Sequence, residues 1–533
     1  MATTVERPSP APPVVSVPDR FNIADYLVDR HLREGRGGRT AIICGDESIT
    51  YAQVADRSNQ LANGLRSLGV RREERVLLLL LDTPAFVYSF FGAQKMGAVP
   101  IPTNTLLKSQ DYRYLLNDSR ARVAIVSEAL LPQLAATPRR ELPYLEHIVV
   151  DDVASSDLVG FSRLLDFPSE LEAEETSKDD AAFWLYSSGT TGFPKGAVHL
   201  HHDIVHTVIC YAQEVLGITE ADRTFSVAKL FFAYGLGNAL TFPFAVGATT
   251  ILWPGPPTPP NVYAQIERYK PTLFYSVPTN YGQLLAHRRE SADFDLGSIR
   301  QAVSAGEALP KALYDRFKER FGVEILDGIG STEILHIFIS NRPGRVRPGS
   351  AGQLVPGYEA RIVDESGVDV PDGTVGNLLI KGDSTCAYYW NKHERTKSTI
   401  EGHWIRTGDK FYRDPDGYYW YAGRADDMLK VGGIWVSPVE IENTLVEHPA
   451  VQEAGVIGRR DADSLEKPMA YVVLAAGSSP SPELARELQD FVRSKIAEYK
   501  RPRWIEFVEA LPKTATGKTQ RFKLRETAAS EPV

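Results

Sequence analysis

Residues 186–196 read YSSGTTGFPKG and follow the apolar stretch 182–185, a pattern typical of a buried strand. Glycines let backbone N–H groups converge on an anion, hydroxyls add short donors, and Lys195 supplies a positive charge. The composition predicts a loop that holds phosphate, with a flexible connector as the alternative. It is not a Walker A loop, because no glycine stands five residues before a Gly-Lys-Ser/Thr. The run Gly517-Lys518-Thr519 fails the same test, since Pro512 occupies the position of the required glycine.

Composition narrows the class of protein. The chain has 533 residues, of which 43% are hydrophobic and 24% charged, and such a length predicts two or more domains. A net charge of −9 argues against nucleic-acid binding. Cys44, Cys210 and Cys386 have neither disulfide nor zinc spacing, which favours a reducing compartment. The longest aliphatic run, 76–81, is too short to cross a bilayer, so we expect no membrane insertion. We expect a cytoplasmic enzyme that is a monomer or a homodimer.

Apolar strands alternate with helical patterns over the first three-quarters of the chain. Strand signals at 98–101, 123–126, 147–150 and 248–252 predict mainly parallel sheets. Residues 254–260 are dense in proline and predict a loop. The predicted fold class is α/β: a large N-terminal domain of mainly parallel α/β sheets with a small β subdomain at 357–380, then a small α+β C-terminal domain. The predicted boundaries are a flexible N-terminal arm at 1–18, an N-terminal domain at 19–425 and a C-terminal domain at 426–533.

Five further segments combine tight glycine turns with hydroxyls and charges. They are SAGE at 304–307, DGIGSTE at 327–333, RTGD at 406–409, GRADD at 423–427 and PKTATGK at 512–518. Together with the opening loop, this set resembles the core motifs of the adenylate-forming superfamily, which includes acyl-CoA synthetases, adenylation domains and luciferases. The resemblance extends over nearly the whole chain. One such motif would be a weak signal, whereas six in order are highly specific.

The resemblance implies an ATP site that works with Mg²⁺. Thr190, Thr191 and Lys195 would hold the β- and γ-phosphates, and Glu333 would coordinate the metal, a hard cation that takes carboxylate and phosphate oxygens. The implied catalytic residues are Lys518, Thr332, Glu333 and Lys195. The implied ATP-binding residues are Ser187, Ser188, Gly189, Thr190, Thr191, Gly192, Gly306, Glu307, Ala308, Asp327, Gly328, Ile329, Thr332, Asp409, Arg424 and Lys518.

The same resemblance implies two half-reactions. A carboxylate first attacks the α-phosphorus of ATP, giving acyl-AMP and pyrophosphate, and Lys518 would neutralise charge in that step. A thiol then displaces AMP. Between the two steps the C-terminal domain, which carries the catalytic lysine, would swing about the hinge Asp426 and present residues 430–435 to the thiol. Gly432 and Gly433 would let the backbone approach the thiol's narrow arm.

The segment 229–238 bears on which acid is activated. It holds no acidic residue, so an amino-acid substrate would leave an unpaired cation in an apolar pocket. Gly330 stands where acetyl- and propionyl-activating relatives carry a tryptophan, which implies a larger acid. Segments 229–238 and 328–341 are most similar to those of benzoate–CoA ligases. The implied acyl pocket consists of Phe232, Ala233, Tyr234, Gly235, Gly330, His336 and Ile337. Plain core packing of the aromatic side chains and a structural role for His336 are the alternatives.

The thiol acceptor is expected to be coenzyme A. Lys500, Arg501 and Arg503 form a cationic cluster that could clamp its phosphates, and Gly432, Gly433 and Trp435 would contact its arm. A solvated charge run and a carrier-protein phosphopantetheine arm are the alternatives. No carrier domain is attached, which favours free CoA.

The expected function is therefore an AMP-forming aryl-CoA ligase that makes benzoyl-CoA from benzoate or a close aryl acid. The alternatives are an aryl-adenylating enzyme that loads a carrier protein, or a CoA ligase for hydroxybenzoate, aminobenzoate, cyclohexane carboxylate or a medium-chain fatty acid. A non-catalytic adenylate-binding protein would have lost Lys518 or the Thr332-Glu333 pair. The 512–518 motif also resembles the site at which such synthetases are silenced by lysine acetylation, which implies an acetyltransferase acting on Lys518. Zinc at His199, His201, His202 and His206 is disfavoured for want of further ligands.

Overall fold

The computed structural model describes residues 13–151, 158–187, 194–289, 293–425, 427–431, 434–461, 466–513 and 518–530, without the side chains of 430, 434, 435, 529 and 530. Strands and helices alternate through most of the chain. The α-helices are Arg30–Arg33, Tyr51–Ser67, Pro84–Lys95, Ser109–Ser119, Leu131–Ala135, Phe161–Leu164, His201–Thr207, Ala233–Leu236, Phe242–Val246, Pro259–Tyr269, Pro278–Ala286, Lys311–Phe321, His393–Thr399, Pro438–Val446, Pro482–Lys495 and Arg521–Ser530. Shorter 3₁₀ or π turns are Asp25–Asp29, Glu128–Leu130, Arg139–Glu141, Val208–Gln213, Gly237–Thr241, Thr332–Ile334 and Glu498–Lys500.

The largest sheet has nine strands, and its six central strands run parallel. In spatial order the strands are Gln353–Leu354, Ile337–Ser340, Ile325–Gly330, Gln301–Ser304, Leu273–Ser276, Arg223–Ser226, Thr249–Leu252, Thr40–Cys44 and Glu47–Thr50. The strands at both edges are antiparallel to their neighbours. Because parallel strands point the same way, the loops that follow their carboxyl ends meet along one edge of the sheet.

A second, wholly parallel sheet lies earlier in the chain. Its five strands are, in order, Val99–Pro102, Arg75–Leu79, Val123–Ser127, His147–Asp151 and Val159–Gly160. The helices Tyr51–Ser67 and Pro84–Lys95 contribute buried side chains to the main core beside it. These strands and helices match the predicted alternation, so the expectation of mainly parallel α/β sheets is confirmed.

The remaining sheets are mostly antiparallel. The hairpin Ala181–Ser187 and Lys195–Leu200 carries Tyr388–Tyr389 on its edge. The small β subdomain predicted at 357–380 supplies Glu359–Val363 and Gly376–Lys381. Their sheet extends beyond that range with Ile400–Glu401, Trp404–Arg413 and Tyr419–Arg424. After it come the pair Leu429–Val431 and Ile434–Val436, then a sheet of Val451–Arg460, Glu466–Leu474 and Trp504–Phe507 with its own apolar core. The fold class is therefore the predicted one, whereas the boundaries at 18 and 425 stay predictions.

The structure refines the predictions made for two segments, 254–260 and 1–18. The loop predicted at 254–260 is wrong in its last two residues, because Pro259 and Pro260 open the helix Pro259–Tyr269. Proline suits the first helical turn, where its fixed φ is already helical and its missing N–H has no partner to lose. In the predicted arm, residues 13–18 have no regular structure, and Val15 and Val17 pack against the main core. Within the described ranges, no helix has the length and apolar character that crossing a bilayer requires.

Two helical glycines make a matched test of the packing between helices. A Cβ at Gly92 would lie 2.6 Å from the Ser58 carbonyl oxygen on the neighbouring helix, whereas a Cβ at Gly282 would meet nothing within 4 Å. We expect Gly92→Ala to lower the free energy of unfolding by roughly 1–3 kcal/mol through overpacking. Gly282→Ala should raise it by up to about 1 kcal/mol through helix propensity. Urea unfolding of both variants checks this, and shifts of the same sign would contradict the close approach at Gly92.

Candidate functional site

An open cavity of about 1650 Å³ lies where the loops after the parallel strands meet the antiparallel segments that follow them. Its lining combines residues from all parts of the chain that carry the predicted motifs. The predicted site residues that line it are Ser187, Lys195, Phe232, Gly306, Glu307, Ala308, Asp327, Gly328, Ile329, Gly330, Thr332, Glu333, Asp409, Arg424 and Lys518. The structure therefore brings together residues up to more than three hundred positions apart, as the motif reading requires.

Some predicted residues lie outside the described part of the chain. They are Ser188, Gly189, Thr190, Thr191 and Gly192 in the first loop, Asp426, and Gly432 with Gly433. The side chain of Trp435 is not described either. Their predicted roles in holding phosphate, in the hinge and in contacting CoA stay predictions.

Glu333 sits at the centre of a small polar cluster in this cavity. It belongs to the turn Thr332–Ile334, which follows the strand Ile325–Gly330. Its Oε1 atom accepts hydrogen bonds from the Tyr389 hydroxyl at 2.7 Å and from the Ser187 hydroxyl at 3.0 Å. Burial opposes ionisation of this carboxyl, but those two donors and the Lys195 charge outweigh it and hold the pKa of Glu333 below its usual range. The site thus keeps an ionised carboxylate in a largely buried position.

Lys195 opens the strand Lys195–Leu200, on the far side of the predicted loop from Ser187. Its ammonium lies 4.6 Å from the centre of the Tyr389 ring, a distance at which cation–π attraction operates. Burial lowers the pKa of Lys195, and the Glu333 carboxylate partly restores it. Tyr389 therefore contacts both charges: its hydroxyl meets the carboxylate and its ring meets the ammonium.

Buried His199 fixes the backbone at Thr332. Its Nε2 atom lies 2.8 Å from the Thr332 carbonyl oxygen, and its Nδ1 atom lies 2.8 Å from Oδ2 of Asp203. His202 shares Asp203 with His199, its Nε2 atom lying 3.2 Å from Oδ1. The other two histidines turn to separate partners: His201 accepts from the Ile23 N–H, and His206 packs edge-on against a tyrosine ring. Among the described residues, no group of three or more His, Cys, Asp or Glu side chains is arranged to hold a metal ion.

Two acidic residues of the predicted motifs that line the cavity, Glu307 and Asp327, have raised pKa values. Burial raises the pKa of Asp327 to about 8, although the Leu309 N–H donates to its Oδ2 atom at 3.2 Å. Burial likewise raises the pKa of Glu307 to about 7, opposed by the Lys513 charge and by a hydrogen bond from the Thr279 hydroxyl. This corner of the cavity therefore carries less negative charge at neutral pH than its sequence indicates.

Asp409 and Arg424 face each other on adjacent antiparallel strands. Asp409 on the strand Trp404–Arg413 pairs in register with Arg424 on the strand Tyr419–Arg424. A guanidinium nitrogen of Arg424 lies 3.2 Å from Oδ1 of Asp409. Burial raises the pKa of Asp409, while the Arg424 charge and, less strongly, the Lys518 charge lower it. The exposed Lys518 thus acts electrostatically on this carboxylate and also on Glu307.

His336, one of the predicted acyl-pocket residues, is a buried, neutral histidine that packs against the rings of Tyr211, Tyr234 and Phe242. The His336 Nε2 atom lies 3.1 Å from Oδ1 of Asn238 and 3.3 Å from the Tyr234 carbonyl oxygen. Burial lowers the pKa of His336 to about 3, so the ring is uncharged at neutral pH. A Cβ at Gly237 would come within 2.3 Å of this ring, and one at Gly330 within 2.6 Å of the His336 carbonyl oxygen. Two glycines therefore make room for the histidine.

Aromatic rings border the same region. The Tyr234 hydroxyl donates to the carbonyl oxygens of Ser276 and Val303 at the ends of two central strands, both at 3.2 Å. Phe232 is half-buried and lines the cavity, whereas Ala233 and Ile337 are buried. Of the predicted acyl-pocket residues, Phe232 and Gly330 line the cavity, whereas Ala233, Tyr234, Gly235, His336 and Ile337 are not part of its lining. Tyr234 is anchored to the sheet by backbone acceptors.

One residue of the predicted cationic cluster, Lys500, already pairs with a carboxylate of the same chain. Lys500 donates to both carboxylate oxygens of Glu440, at 2.6 and 2.7 Å, which offsets its charge. Arg501 is half-buried and Arg503 is exposed. The two arginines therefore carry most of the positive charge that this segment presents to solvent.

Sequence reasoning missed several residues that organise the site. Tyr389, His199, Asn238, Thr279 and Lys513 all hydrogen-bond to predicted site residues or to their neighbours. Four of them lie outside the six motifs. Lys513 lies inside the last motif and could have been found there, because a second lysine close to Lys518 is visible in the sequence.

Comparison with known proteins agrees with this geometry. Residues 28–390 match the family described as AMP-binding enzyme, and residues 440–518 match the AMP-binding enzyme C-terminal domain. The chain is 51% identical to a benzoate–CoA ligase of Thauera aromatica over 97% of this chain and 98% of the relative.

Solved structures show the same relationship. An anthranilate CoA ligase in complex with anthranoyl-AMP superposes with a TM-score of 0.93 at 49% identity, covering 96% of this chain and 98% of that one. A benzoate CoA ligase from Burkholderia xenovorans LB400 gives 0.87 at 48% identity, covering 95% and 100%. The six motifs, their convergence on one cavity and these full-length similarities lead to one conclusion: the chain belongs to the AMP-binding enzyme family of the adenylate-forming superfamily, and it is an enzyme of the acid–thiol ligase class.

Proposed function

We propose that the protein is an AMP-forming aryl-CoA ligase that converts benzoate, ATP and CoA into benzoyl-CoA, AMP and pyrophosphate. The observation that carries this proposal is the cavity shared by Glu333, the Asp409–Arg424 pair and Lys518, which Phe232 and Gly330 of the predicted acyl pocket also line. The relatives named for benzoate and anthranilate support the aryl class of acid.

In the first half-reaction the carboxylate of the acid attacks the α-phosphorus of ATP. Asp409 would accept hydrogen bonds from the ribose hydroxyls, with Arg424 holding its orientation. Thr332, whose backbone is fixed by His199, would bond the α-phosphate, and the segments 306–308 and 327–329 would frame the adenine. Lys195, with the loop 187–192, would hold the β- and γ-phosphates that leave as pyrophosphate.

Glu333 fits a Mg²⁺ ion. It is an ionised carboxylate, its charge is maintained by hydrogen bonds from Tyr389 and Ser187, and hard cations take carboxylate oxygens together with phosphate oxygens. When bound there, Mg²⁺ would neutralise negative charge on the phosphates.

Lys518 would place its ammonium between the substrate carboxylate and the α-phosphate. Two like-charged groups must approach each other in this step, so a cation between them stabilises the transition state more than the separated reactants. Support comes from its position on the cavity wall and from its electrostatic effect on Asp409.

In the second half-reaction the CoA thiol attacks the acyl carbon, the bond from that carbon to the AMP oxygen breaks, and AMP leaves. We propose that Asp426 is the hinge for a swing of the C-terminal domain, which would bring Gly432, Gly433 and Trp435 to the thiol's arm. Arg501 and Arg503, and more weakly Lys500 because of its Glu440 partner, would meet the CoA phosphates.

The acid pocket favours an uncharged ring. Neutral His336 and the aromatic side chains Phe232 and Tyr234 offer no counter-ion for a charged substituent. Benzoate fits this chemistry, and hydroxy-, amino- and fluorobenzoates are proposed as secondary substrates. Loading of a carrier protein is the second candidate function. An amino-acid substrate is disfavoured, because the segment 229–238 holds no acidic residue to pair with its ammonium.

A substrate panel tests the proposal directly. AMP release with CoA should be fastest with benzoate among benzoate, hydroxybenzoates, cyclohexane carboxylate, cinnamate and medium-chain fatty acids. Formation of benzoyl-CoA should be confirmed by mass spectrometry. Faster turnover of a fatty acid would overturn the aryl assignment, and acid-dependent pyrophosphate release with no thioester from free CoA would favour a carrier protein.

The role of Lys518 predicts a split between the half-reactions. Lys518→Ala should reduce benzoate-dependent ATP–pyrophosphate exchange by about 100-fold or more, because it removes a cation that stabilises the transition state. Thioester formation from supplied benzoyl-AMP and CoA should be largely retained. Equal loss of both half-reactions would refute the assignment.

Acetylation of Lys518 belongs to the same proposal, because it would remove this charge. The variant Lys518→Gln, which carries a neutral amide, should therefore lose exchange as Lys518→Ala does. Mass spectrometry after incubation with a lysine acetyltransferase should detect modified Lys518, and an unmodified side chain would count against this partner.

The hydrogen bond from Tyr389 predicts a change in pH dependence. Tyr389→Phe keeps the ring beside Lys195 but removes a donor that lowers the pKa of Glu333, so that pKa should rise. A carboxylate with a raised pKa is protonated at higher pH, and the acid limb of ATP–pyrophosphate exchange should therefore move to higher pH. Tyr388→Phe, at the exposed neighbouring position, is the matched control. An unmoved acid limb in Tyr389→Phe would exclude Glu333 as the group that sets it.

The proposed partners are small molecules: the aryl acid, ATP and CoA. The free thiols of Cys44, Cys210 and Cys386 suit a cytoplasmic location. Whether the enzyme is a monomer or a homodimer would follow from its mass in solution, measured by light scattering.

A further inference from the structure

A chain of three side chains connects the last motif to the central sheet. The Lys513 ammonium donates to the Thr279 hydroxyl oxygen at 3.0 Å, and the Thr279 hydroxyl donates to Oε2 of Glu307 at 3.1 Å. Thr279 lies in the helix Pro278–Ala286, and Glu307 follows the strand Gln301–Ser304. The contact therefore joins residues 234 positions apart in sequence.

The Thr279 hydroxyl suits the middle place in this chain. A hydroxyl has one proton to donate and lone pairs to accept, whereas an ammonium only donates and a carboxylate only accepts. The proton of Thr279 goes to the Glu307 carboxylate, and its oxygen is then oriented to receive the Lys513 proton. A side chain of the same shape without the hydroxyl would remove the hydrogen-bonded link between Lys513 and Glu307 and leave the attraction of their charges.

Lys513 is also held from its own side of the cavity. Its ammonium lies 2.8 Å from Oε2 and 3.0 Å from Oε1 of Glu453, on the strand Val451–Arg460. The Lys513 side chain is 22% exposed, so the charge is largely withdrawn from solvent. Glu453 fixes the lysine within the C-terminal part of the chain, and the bond to Thr279 reaches the helix Pro278–Ala286.

Lys513 and the proposed catalytic lysine are close neighbours. Lys513 pairs with Thr519 in an antiparallel bridge, and Lys518 precedes Thr519 by one residue. A β-bridge fixes the separation of its two backbones, so holding Lys513 against Thr279 also holds the base of Lys518. The charge of Lys518 acts on Glu307 as well, the carboxylate at the end of the same chain.

We propose that Lys513 is a positioning residue: its bond to Thr279 docks the last motif on the helix Pro278–Ala286 and so holds Lys518 in the cavity for the adenylating half-reaction. This inference rests on the proposed role of Lys518. In the proposed swing residues 430–435 replace Lys518, so this docking would be released first and the bond would serve adenylation and not thioester formation.

Thr279→Val tests the docking bond without altering the Lys513–Glu453 pair. The rate of benzoate-dependent ATP–pyrophosphate exchange at saturating ATP should fall about 10-fold, while thioester formation from benzoyl-AMP and CoA stays within twofold of wild type. Thr279→Ser should restore exchange because it restores the hydroxyl. An equal fall in both half-reactions, exchange within twofold of wild type, or a loss confined to the KM for ATP would overturn the proposal.

Lys513→Met examines the other end of the bond. It should likewise reduce exchange and spare thioester formation. In the double variant with Thr279→Val, exchange should be no slower than in the more impaired single variant, since both substitutions remove the same contact. Lys495→Met is the matched control: Lys495 also pairs with a glutamate, Glu447, at 3.3 Å, but on the exposed surface. It should leave both half-reactions unchanged. Additive losses in the double variant would contradict a shared contact.

Lys518→Ala separates this inference from the function on which it rests. If Lys518→Ala retains exchange, the proposed role of Lys518 is wrong and the docking bond has nothing to position. If Lys518→Ala loses exchange while Thr279→Val does not, the function stands and the docking role alone fails. Thermal unfolding of each variant shows whether a loss reflects an unfolded protein, and Thr279→Val decides the matter if Lys513→Met does not fold.

Discussion

An ionised carboxylate buried beside a protein cavity needs partners, and the side chain of Glu333 obtains them from segments far apart in the chain. Burying an unpaired charge costs several kcal/mol, so the fold must deliver donors and a counter-charge to this point. Ser187 comes from the hairpin before the first loop, Lys195 from the strand after it, and Tyr389 from the short strand on the hairpin's edge. A backbone bond from the Cys386 N–H to the Glu333 carbonyl at 2.7 Å ties the same segments together. The charge that the proposed chemistry requires thus also fixes the relative positions of these segments.

The sequence allowed the fold class, most element positions and the lining of the cavity to be predicted. Periodicity marked strands such as Val123–Ser127, and fifteen of the residues predicted for the site line the cavity. Contacts between residues remote in sequence were not predictable in this way. Tyr389 meets Glu333 across 56 positions, and Lys513 meets Thr279 across 234. Neither periodicity nor turn chemistry carries information on such pairs, because both are local properties.

The segment predicted to form the acyl pocket shows how a stretch without an acidic residue is held in place by its own lysine and by an aspartate outside it. The Lys229 ammonium donates to the carbonyl oxygens of Trp253 and Gly255 and lies 4.0 Å from Asp82. Asp82 in turn accepts from the Leu230 N–H. These bonds fix the start of the 229–238 segment, so that Phe232 and Tyr234 can present rings to an apolar space. The sequence showed that the segment has no acid, but only the structure shows what anchors it.

The sheets also divide cleanly along the chain. Described strands up to Arg424 pair only with one another, and those from Leu429 onward pair only among themselves. Asp409 and Arg424, the two residues proposed for the ribose, both lie on the earlier side. A recombination junction after residue 425 would therefore leave every described sheet and the ribose contact intact. The later segment, which carries Lys513 and Lys518, could then be exchanged between relatives as one unit.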